Sequence, residues 1–179
     1  MLDDVYNSKI LEYAGNIPMT GRLAEPDATA KAHSKLCGST VVVDIKMDGD
    51  RITDFAHDVK ACALGQASSS IMARNVVGST AAELKELRKT MYAMLKDGGP
   101  PPAGKFAEFR FLEPVRDYKA RHASTLLTFD AVVDAIEQVE AKAATQKALG
   151  QQEKREKLDK AKNAAVHALN ASGIRFRVR

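Results

Sequence analysis

Two neighbouring stretches of the chain alternate between apolar and polar residues, as β-strands with one buried face do. In the first stretch, residues 40–47, the apolar side consists of Val41, Val43, Ile45 and Met47. In the second stretch, residues 51–61, it consists of Phe55, Val59 and Ala61. The intervening Asp48-Gly49-Asp50 favours a tight reversal, because glycine readily adopts positive φ. The two stretches are therefore predicted to pair as an antiparallel hairpin.

Helical periodicity marks four other stretches. Apolar residues recur at the spacing of a helix face over residues 3–14, 67–77, 81–96 and 124–139. Asp3 and Asp4 precede the first helix as candidate caps. The segment Ser79-Thr80-Ala81-Ala82-Glu83 opens the third helix in the manner of an N-cap followed by an acidic first turn. We therefore predict four helices around the hairpin.

The connecting segments have the composition of loops. Residues 20–35 contain Gly21, Pro26 and many small polar residues, and we predict a loop. The Gly/Pro-rich residues 97–104 interrupt regular structure, and the apolar residues 106–115 are predicted to be a short irregular or helical piece. Together these patterns predict an α+β fold, in which a small antiparallel sheet, the hairpin plus a further strand, packs against several helices.

Positive charge is concentrated towards the C-terminal end. Residues 141–179 contain ten Lys or Arg against three Asp or Glu, a net charge of +7, so residues 1–140 carry −3 of the total +4. The folded part therefore offers no general basic surface, and no nucleic-acid partner is expected. We predict a domain over residues 1–143 and a basic C-terminal extension over 144–179, either helical or disordered, with partner or anionic-surface binding as an alternative role.

The cysteine count and the termini indicate a compartment. Two cysteines in 179 residues argue against a disulfide framework and for reducing conditions. Residues 1–6 show neither the basic nor the apolar region of a secretory signal, and no apolar run is long enough to span a membrane. We expect a cytoplasmic protein without a membrane partner.

The predicted hairpin brings the two cysteines to one end of the sheet, because Cys37 lies just before its first strand and Cys62 just after its second. Cys62 also stands at a strand-to-helix junction, where the helix dipole favours a thiolate. Two thiols brought together by register indicate a metal or sulfur site, while the alternative for Cys62 is a small buried hydrophobic residue. His57, on the apolar side of its strand, is expected to be half-buried rather than a ligand.

Three segments resemble the scaffold family of iron–sulfur cluster assembly, the IscU and NifU N-terminal type, and its SufU subtype in particular. They are Lys35-Leu36-Cys37-Gly38, then Lys60-Ala61-Cys62-Ala63 followed by Ala67-Ser68-Ser69-Ser70, and finally Arg121-His122-Ala123-Ser124-Thr125-Leu126. The separation of 25 positions between Cys37 and Cys62 fits that family, and the insertion at 97–104 is similar to SufU. The resemblance covers roughly residues 3–141.

The resemblance implies a protein that accepts sulfur from a cysteine desulfurase, binds iron, a [2Fe–2S] cluster or zinc, and serves apo iron–sulfur recipient proteins. Members use three cysteines and an aspartate at one end of the sheet. Here Ala123 replaces the third cysteine and Ser39 replaces the aspartate. Cys37, Cys62 and His122 remain as the implied metal ligands, and the alternative for His122 is a helix N-terminal residue bonded to the backbone.

The chemistry of these side chains is consistent with that implication. Thiolates and an imidazole suit iron or zinc, and three protein ligands leave one coordination position open. In a homodimer, Cys37 and Cys62 of both chains would instead supply four thiolates to one [2Fe–2S] cluster. Sulfur transfer needs one nucleophilic thiolate, for which we predict Cys62, with Cys37 as the alternative.

We therefore expect a scaffold-like protein without independent turnover. The alternative is a degenerate scaffold, which has lost cluster assembly and acts as a non-catalytic partner or regulator of the desulfurase.

Overall fold

The computed structural model describes residues 6–171. In chain order its elements are α1 (Ser8–Gly15), β1 (Ala28–His33), β2 (Thr40–Asp48), β3 (Arg51–Lys60), α2 (Ala63–Asn75), α3 (Ala81–Lys96), a 3₁₀-helix (Gly104–Asp117) and α4 (Lys119–Ala171). The chain divides into two compact units, Met1–Val139 and Glu140–Arg179, which are described separately. The first unit has the predicted α+β fold.

The sheet has the strand order β1-β2-β3, and both pairs are antiparallel. The predicted hairpin is confirmed, since β2 and β3 are joined by Gly49 and Asp50 and Gly49 has a φ of 59°. Ile45 pairs with Phe55 and both are buried, so the two strands present one apolar face to the core.

The prediction of a loop throughout residues 20–35 is wrong, because β1 occupies part of that range. Ala30 of β1 pairs with Val43 of β2 and is buried. Alanine has low strand propensity and adds little apolar area, so the strand leaves a weak alternation signal. Its conformation is stabilised by pairing with β2, which the local sequence does not reveal.

One apolar cluster joins the sheet to the helices of the first unit. Its largest fully buried side chains are Phe109, Phe129, Ile10, Ile45, Ile52, Leu64, Ile71, Met72, Leu84, Met91, Met94 and Leu95. Phe109 of the 3₁₀-helix meets Phe129 of α4 with ring centroids 4.9 Å apart. The segment predicted as irregular or helical is therefore a packed 3₁₀-helix, which holds the start of α4 against the core.

Local capping explains two helix starts. α3 begins with the predicted N-cap and acidic first turn, which form a capping box in which Thr80 and Glu83 satisfy each other's backbone N–H groups. α1 is capped by Asn7, whose side chain accepts a hydrogen bond from a backbone N–H of the first turn. The predicted caps Asp3 and Asp4 lie outside the described residues.

Two other helices begin earlier than the apolar pattern predicts. α2 starts at Ala63 instead of residue 67, so Cys62 is its N-cap. α4 starts at Lys119 instead of residue 124, so His122 lies in its first turn rather than ahead of it. The early residues of α4 are mostly polar or small, and His122 among them is hydrogen-bonded to carbonyls at the end of the 3₁₀-helix.

The described part of the second unit, residues 140–171, is helical and almost entirely exposed. This is the helical form of the two conformations predicted for the extension. Residues 172–179 lie outside the described part of the chain. Within residues 6–171, no helix combines the length and the apolar character that crossing a bilayer requires.

Candidate functional site: a rim with two thiols

The strand register places both cysteines at one end of the sheet. Thr40, the first residue of β2, pairs with Lys60, the last residue of β3. Cys37 lies in the β1–β2 connection just before Thr40, and Cys62 lies just after Lys60. We call this end of the first unit, formed by residues 33–40, 60–62 and 119–124, the thiol rim.

Cys37 is held in a closed turn between β1 and β2. The N–H of Ser34 donates to the carbonyl of Ser39 (2.9 Å), and the N–H of Gly38 donates to the carbonyl of Ser34 (2.9 Å). Gly38 adopts a φ of 71°, a conformation that side chains disfavour. The turn buries Ser34 and Ser39 while it leaves Cys37 exposed.

The two buried serines place hydroxyl groups beside the thiol. The Sγ of Cys37 lies 3.3 Å from the Oγ of Ser34 and 3.0 Å from the Oγ of Ser39. Hydrogen bonds with Ser34 and Ser39 lower the pKa of Cys37 from 9.0 to about 7, because they stabilise the thiolate more than partial burial disfavours it. The positive charge of Arg121 acts in the same direction. Near neutral pH a large share of Cys37 is therefore thiolate.

Cys62 is half-buried at the start of α2. Its Sγ donates to the Oγ of Ser124 (3.4 Å), and the Ser124 hydroxyl donates to the carbonyl of Arg121 (3.0 Å). Gly65 allows this approach of α2 to α4, because a Cβ on it would lie 3.0 Å from the Ser124 carbonyl oxygen. The early start of α2 and the close helix contact thus position Cys62 at the thiol rim.

His122 is buried in the first turn of α4. Its Nε2 lies 3.1 Å from the carbonyl oxygen of Val115 and 3.0 Å from that of Arg116, so a proton on Nε2 donates to the end of the 3₁₀-helix. The structure therefore shows the backbone-bonded arrangement that was the alternative for this residue. Nδ1 is then the ring nitrogen with a lone pair for a metal.

The predicted ligand set is not gathered into a closed group. Among residues 6–171, no three side chains of His, Cys, Asp or Glu lie close enough together to hold a metal ion. Cys37, Cys62 and His122 all belong to the thiol rim, but His122 is engaged with backbone carbonyls. Their role as metal ligands stays a prediction.

Comparison with known proteins identifies the family. The model of the NifU-like N terminal domain matches residues 5–125, which is more than half of the chain. The chain belongs to the NifU-like N-terminal domain family. The matched range contains both cysteines and His122, and it confirms the resemblance recognised in the sequence.

Several relatives of this NifU-like domain have been named or solved. A crystal structure of a NifU-like protein (N-terminal) from Brucella abortus is 67% identical, superposes with a TM-score of 0.78, and covers 79% of this chain and 98% of its own. The iron–sulfur cluster assembly scaffold protein IscU of Thermotoga maritima is 22% identical over 135 residues, 75% of this chain and 94% of the relative. The zinc-dependent sulfurtransferase SufU of Bacillus subtilis is 21% identical over 131 residues, 73% of this chain and 88% of the relative.

Within this NifU-like domain, Ser39, which replaces the aspartate of other family members, takes part directly in the structure around Cys37. It is buried, it closes the Cys37 turn through its carbonyl, and its hydroxyl touches the thiol. Ser34 and Ser124, which the sequence analysis did not single out, are likewise direct neighbours of the two sulfur atoms. The pairing of Ser34 with Cys37 has a sequence signal in its three-residue spacing, whereas the contact between Cys62 and Ser124 has none.

His57 and Lys60 lie apart from the contacts of the two cysteine sulfur atoms. His57 is fully buried in β3, not half-buried as predicted, and its Nε2–H donates to the carbonyl of Pro18 (2.8 Å). Lys60 extends from the thiol rim into solvent, and its Nζ lies 3.8 Å from a carboxylate oxygen of Asp58. Its side chain is 79% exposed, so the ammonium group is solvated.

Proposed function

We propose that this protein is an iron–sulfur cluster assembly scaffold that accepts sulfur from a cysteine desulfurase at Cys37. The observation that carries the proposal is an exposed thiol, with its pKa lowered to about 7, in a serine-lined turn at the same end of the sheet as a second thiol. The family match and the scaffold relatives support the same class of function. The protein receives and presents sulfur without turnover of its own.

The sequence pattern favoured Cys62 as the accepting thiolate, and the contacts favour Cys37. Cys37 is exposed, whereas Cys62 is half-buried between α2 and α4. A donor persulfide on another protein must reach the attacking sulfur, and exposure determines whether it can. We therefore assign the first transfer to Cys37 and leave Cys62 as the second sulfur of the site.

The transfer step balances without an added oxidant. The Cys37 thiolate attacks the outer sulfur of the donor persulfide, and a new S–S bond forms on Cys37. The S–S bond of the donor breaks, and the donor cysteine leaves as a thiolate. Ser34 and Ser39 hold the attacking sulfur in its charged form by hydrogen bonding, and Arg121 adds positive charge nearby.

The metal or cluster would be cargo held by the same thiols. Two thiolates suit iron or zinc, but one chain offers only these two thiols among its described residues. We propose that Cys37 and Cys62 are the ligands, completed by His122 through Nδ1 or by the cysteines of a second chain. The first alternative requires the thiol rim to close around the ion.

Sulfur uptake and metal content test this proposal separately. The protein is incubated with a cysteine desulfurase and L-cysteine, and intact mass reports each sulfur atom added. We expect uptake in the wild type and in Cys62→Ser, and loss of uptake in Cys37→Ser. Uptake that persists in Cys37→Ser and disappears in Cys62→Ser would return the role to Cys62, and no uptake in any of the three proteins would refute sulfur acceptance.

Anaerobic purification followed by metal analysis tests the ligand set. We expect iron or zinc in the wild type, loss of metal in Cys37→Ser and in Cys62→Ser, and a partial loss in His122→Ala if one chain supplies the third ligand. If a dimer supplies four thiolates, His122→Ala keeps its metal and the metal-loaded protein elutes as a dimer. Metal-free wild-type protein would refute the assignment of Cys37 and Cys62 as ligands.

A second candidate is favoured by the open ligand set. A degenerate scaffold would bind the desulfurase as a non-catalytic regulator, and the absence of a three-ligand group within residues 6–171 is what this reading expects. The double variant Cys37→Ser/Cys62→Ser separates the two functions. Unchanged binding and unchanged effect on desulfurase turnover would support the regulator, while loss of the effect would support the scaffold.

A further inference from the structure

Positively charged side chains surround the thiol rim. Lys35 lies in the turn that carries Cys37, Lys60 ends β3, and Lys119 and Arg121 lie in the first turn of α4. The three lysines are exposed and Arg121 is partly exposed. We call Lys35, Lys60, Lys119 and Arg121 the basic collar.

The basic collar is poorly neutralised by its own domain. Among residues 6–171, the one ion pair to a collar residue is that between Lys60 and Asp58, which is exposed and 3.8 Å long. A pair of this kind is weak. Asp117 precedes α4 but forms no ion pair with Lys119 or Arg121 in the described part of the chain. The collar therefore presents net positive charge to a partner.

The opposite end of the sheet has the opposite charge. Around the β2–β3 turn, the carboxylates are Asp27, Asp48, Asp50 and Asp54, and the cations are Lys46 and Arg51. Residues 1–140 as a whole carry a net charge of −3. The positive charge at the thiol rim is thus a local feature of a domain that is otherwise slightly acidic.

Helix stability does not account for this arrangement. Cations near a helix N-terminus are electrostatically unfavourable, because the helix dipole is positive there. Lys119 and Arg121 occupy the first turn of α4, which contains no acidic residue. α3 shows the favourable alternative, with Glu83 in its first turn. A role in recognition explains cations that do not stabilise their own helix.

We infer that the basic collar docks the sulfur donor by pairing with a carboxylate-rich face of that protein around the donor's persulfide. The identity of the partner as the sulfur donor rests on the proposed function. Complementary charge at the edge of an interface mainly raises the association rate. Lys35 lies two positions from Cys37 in the chain and Lys60 two positions from Cys62, so a face that pairs with the collar brings its persulfide near the exposed thiol. A nucleic acid is disfavoured as the partner, because it offers no persulfide to the exposed Cys37 thiol.

Association kinetics test this inference without using sulfur transfer as the readout. Binding of the full chain to a purified cysteine desulfurase is followed at NaCl concentrations of about 50 to 300 mM, where screening becomes strong. We expect the association rate constant of the wild type to fall about tenfold over this range. In Lys35→Glu/Lys119→Glu it should already be about tenfold lower at the lowest salt and should depend little on salt.

Lys46→Glu is the matched control for Lys35→Glu measured alone, because it makes the same change of two charge units at the far end of β2. It should leave the association rate within about twofold of the wild type. Circular dichroism of each protein checks that it is folded. We expect every variant to fold, since each substituted side chain is exposed or partly exposed.

The outcomes separate docking from sulfur acceptance. Binding that is insensitive both to salt and to Lys35→Glu/Lys119→Glu overturns the inference even if Cys37 accepts sulfur. If Lys46→Glu lowers the association rate as much as Lys35→Glu does, the inference is also overturned, because the net charge of the protein rather than the collar would then be responsible. Tight, salt-dependent binding of a single-stranded oligonucleotide to the same collar would replace the protein partner by a nucleic acid. Collar-dependent binding without sulfur uptake would support docking and refute the proposed function.

Discussion

Removal of the serine hydroxyls beside Cys37 should change the reactivity of that thiol in a quantitative way. In Ser34→Ala/Ser39→Ala we expect the pKa of Cys37 to rise from about 7 towards its ordinary value of 9.0, because the two hydroxyls that stabilise the thiolate are lost. A complete shift lowers the thiolate fraction at pH 7 from about one half to about one hundredth, roughly fiftyfold.

The rate of reaction should fall by less than the thiolate fraction. Thiolate nucleophilicity rises with pKa with a Brønsted coefficient of about 0.4–0.5, which gives back roughly eightfold for a shift of this size. At pH 7 the double variant should therefore react roughly sixfold more slowly than the parent, and above pH 9 it should react roughly eightfold faster. The two pH–rate curves should cross between these limits.

Alkylation by iodoacetamide measures both effects. The parent is Cys62→Ser, in which Cys37 is the single thiol, and the rate is followed by intact mass from about pH 5.5 to 10, which brackets both expected pKa values. Ser8→Ala in the same parent is the matched control, since Ser8 lies at the exposed start of α1. A folded double variant with an unchanged midpoint, or with a rate lowered equally at every pH, would refute hydrogen bonding as the cause of the low pKa.

Three further predictions concern the stability of the folded domain that carries the thiol rim. Gly65→Ala should lower the free energy of unfolding by about 1–3 kcal/mol in urea titrations, because the added Cβ would lie 2.7 Å from the Cβ of Ala61 and 3.0 Å from the Ser124 carbonyl oxygen of α4. Asp44→Asn should cost about 1–3 kcal/mol at pH 7, since Asp44 is fully buried and its carboxylate accepts two hydrogen bonds from Arg22. Burial lowers the pKa of His57 in the folded protein. Below about pH 6.5 the unfolded chain therefore binds a proton at this residue that the folded protein does not bind. The free energy of unfolding should consequently fall as the pH drops towards the lowered pKa. His57→Gln should reduce that acid dependence.

Each of these variants has its own control and contrary result. Gly15→Ala controls for Gly65→Ala, because nothing lies within 4 Å of a Cβ at Gly15, and equal effects of the two would refute the close contact. Burial alone would raise the pKa of Asp44, but hydrogen bonds from Arg22 and Thr29 outweigh it and lower the pKa. The stabilisation is therefore lost as the pH falls through that lowered value, and an undiminished difference between Asp44→Asn and wild type in acid would contradict this account. For His57, a free energy of unfolding that depends on pH identically in His57→Gln and the wild type would contradict the prediction.

Local sequence patterns were sufficient to predict much of the secondary structure that supports the thiol rim. The alternation of Val41, Val43 and Ile45 with polar residues defines β2, and Gly49 permits the tight turn to β3. The capping box of Thr80 and Glu83 marks the start of α3. Each of these features depends on residues close together in the chain, so the sequence contains the whole physical cause.

Features that depend on distant partners were misassigned. β1 is an alanine-rich edge strand whose stability comes from pairing with β2, and the composition of residues 20–35 indicated a loop. The first turn of α4 lacks a periodic apolar pattern, and the hydrogen bonds from His122 to the 3₁₀-helix hold it in place. In both cases the stabilising partner lies in another element.

By itself, the sequence determined that two cysteines meet at one end of a hairpin, because strand register follows from the alternating pattern and the turn. It also determined the family, through short segments around Cys37, Cys62 and His122 that the family match contains. Only the tertiary structure decided which sulfur is exposed and how each is hydrogen-bonded. Exposure and the pKa of a thiol depend on what packs against it, and for Cys62 and Ser124 that contact joins residues 62 positions apart.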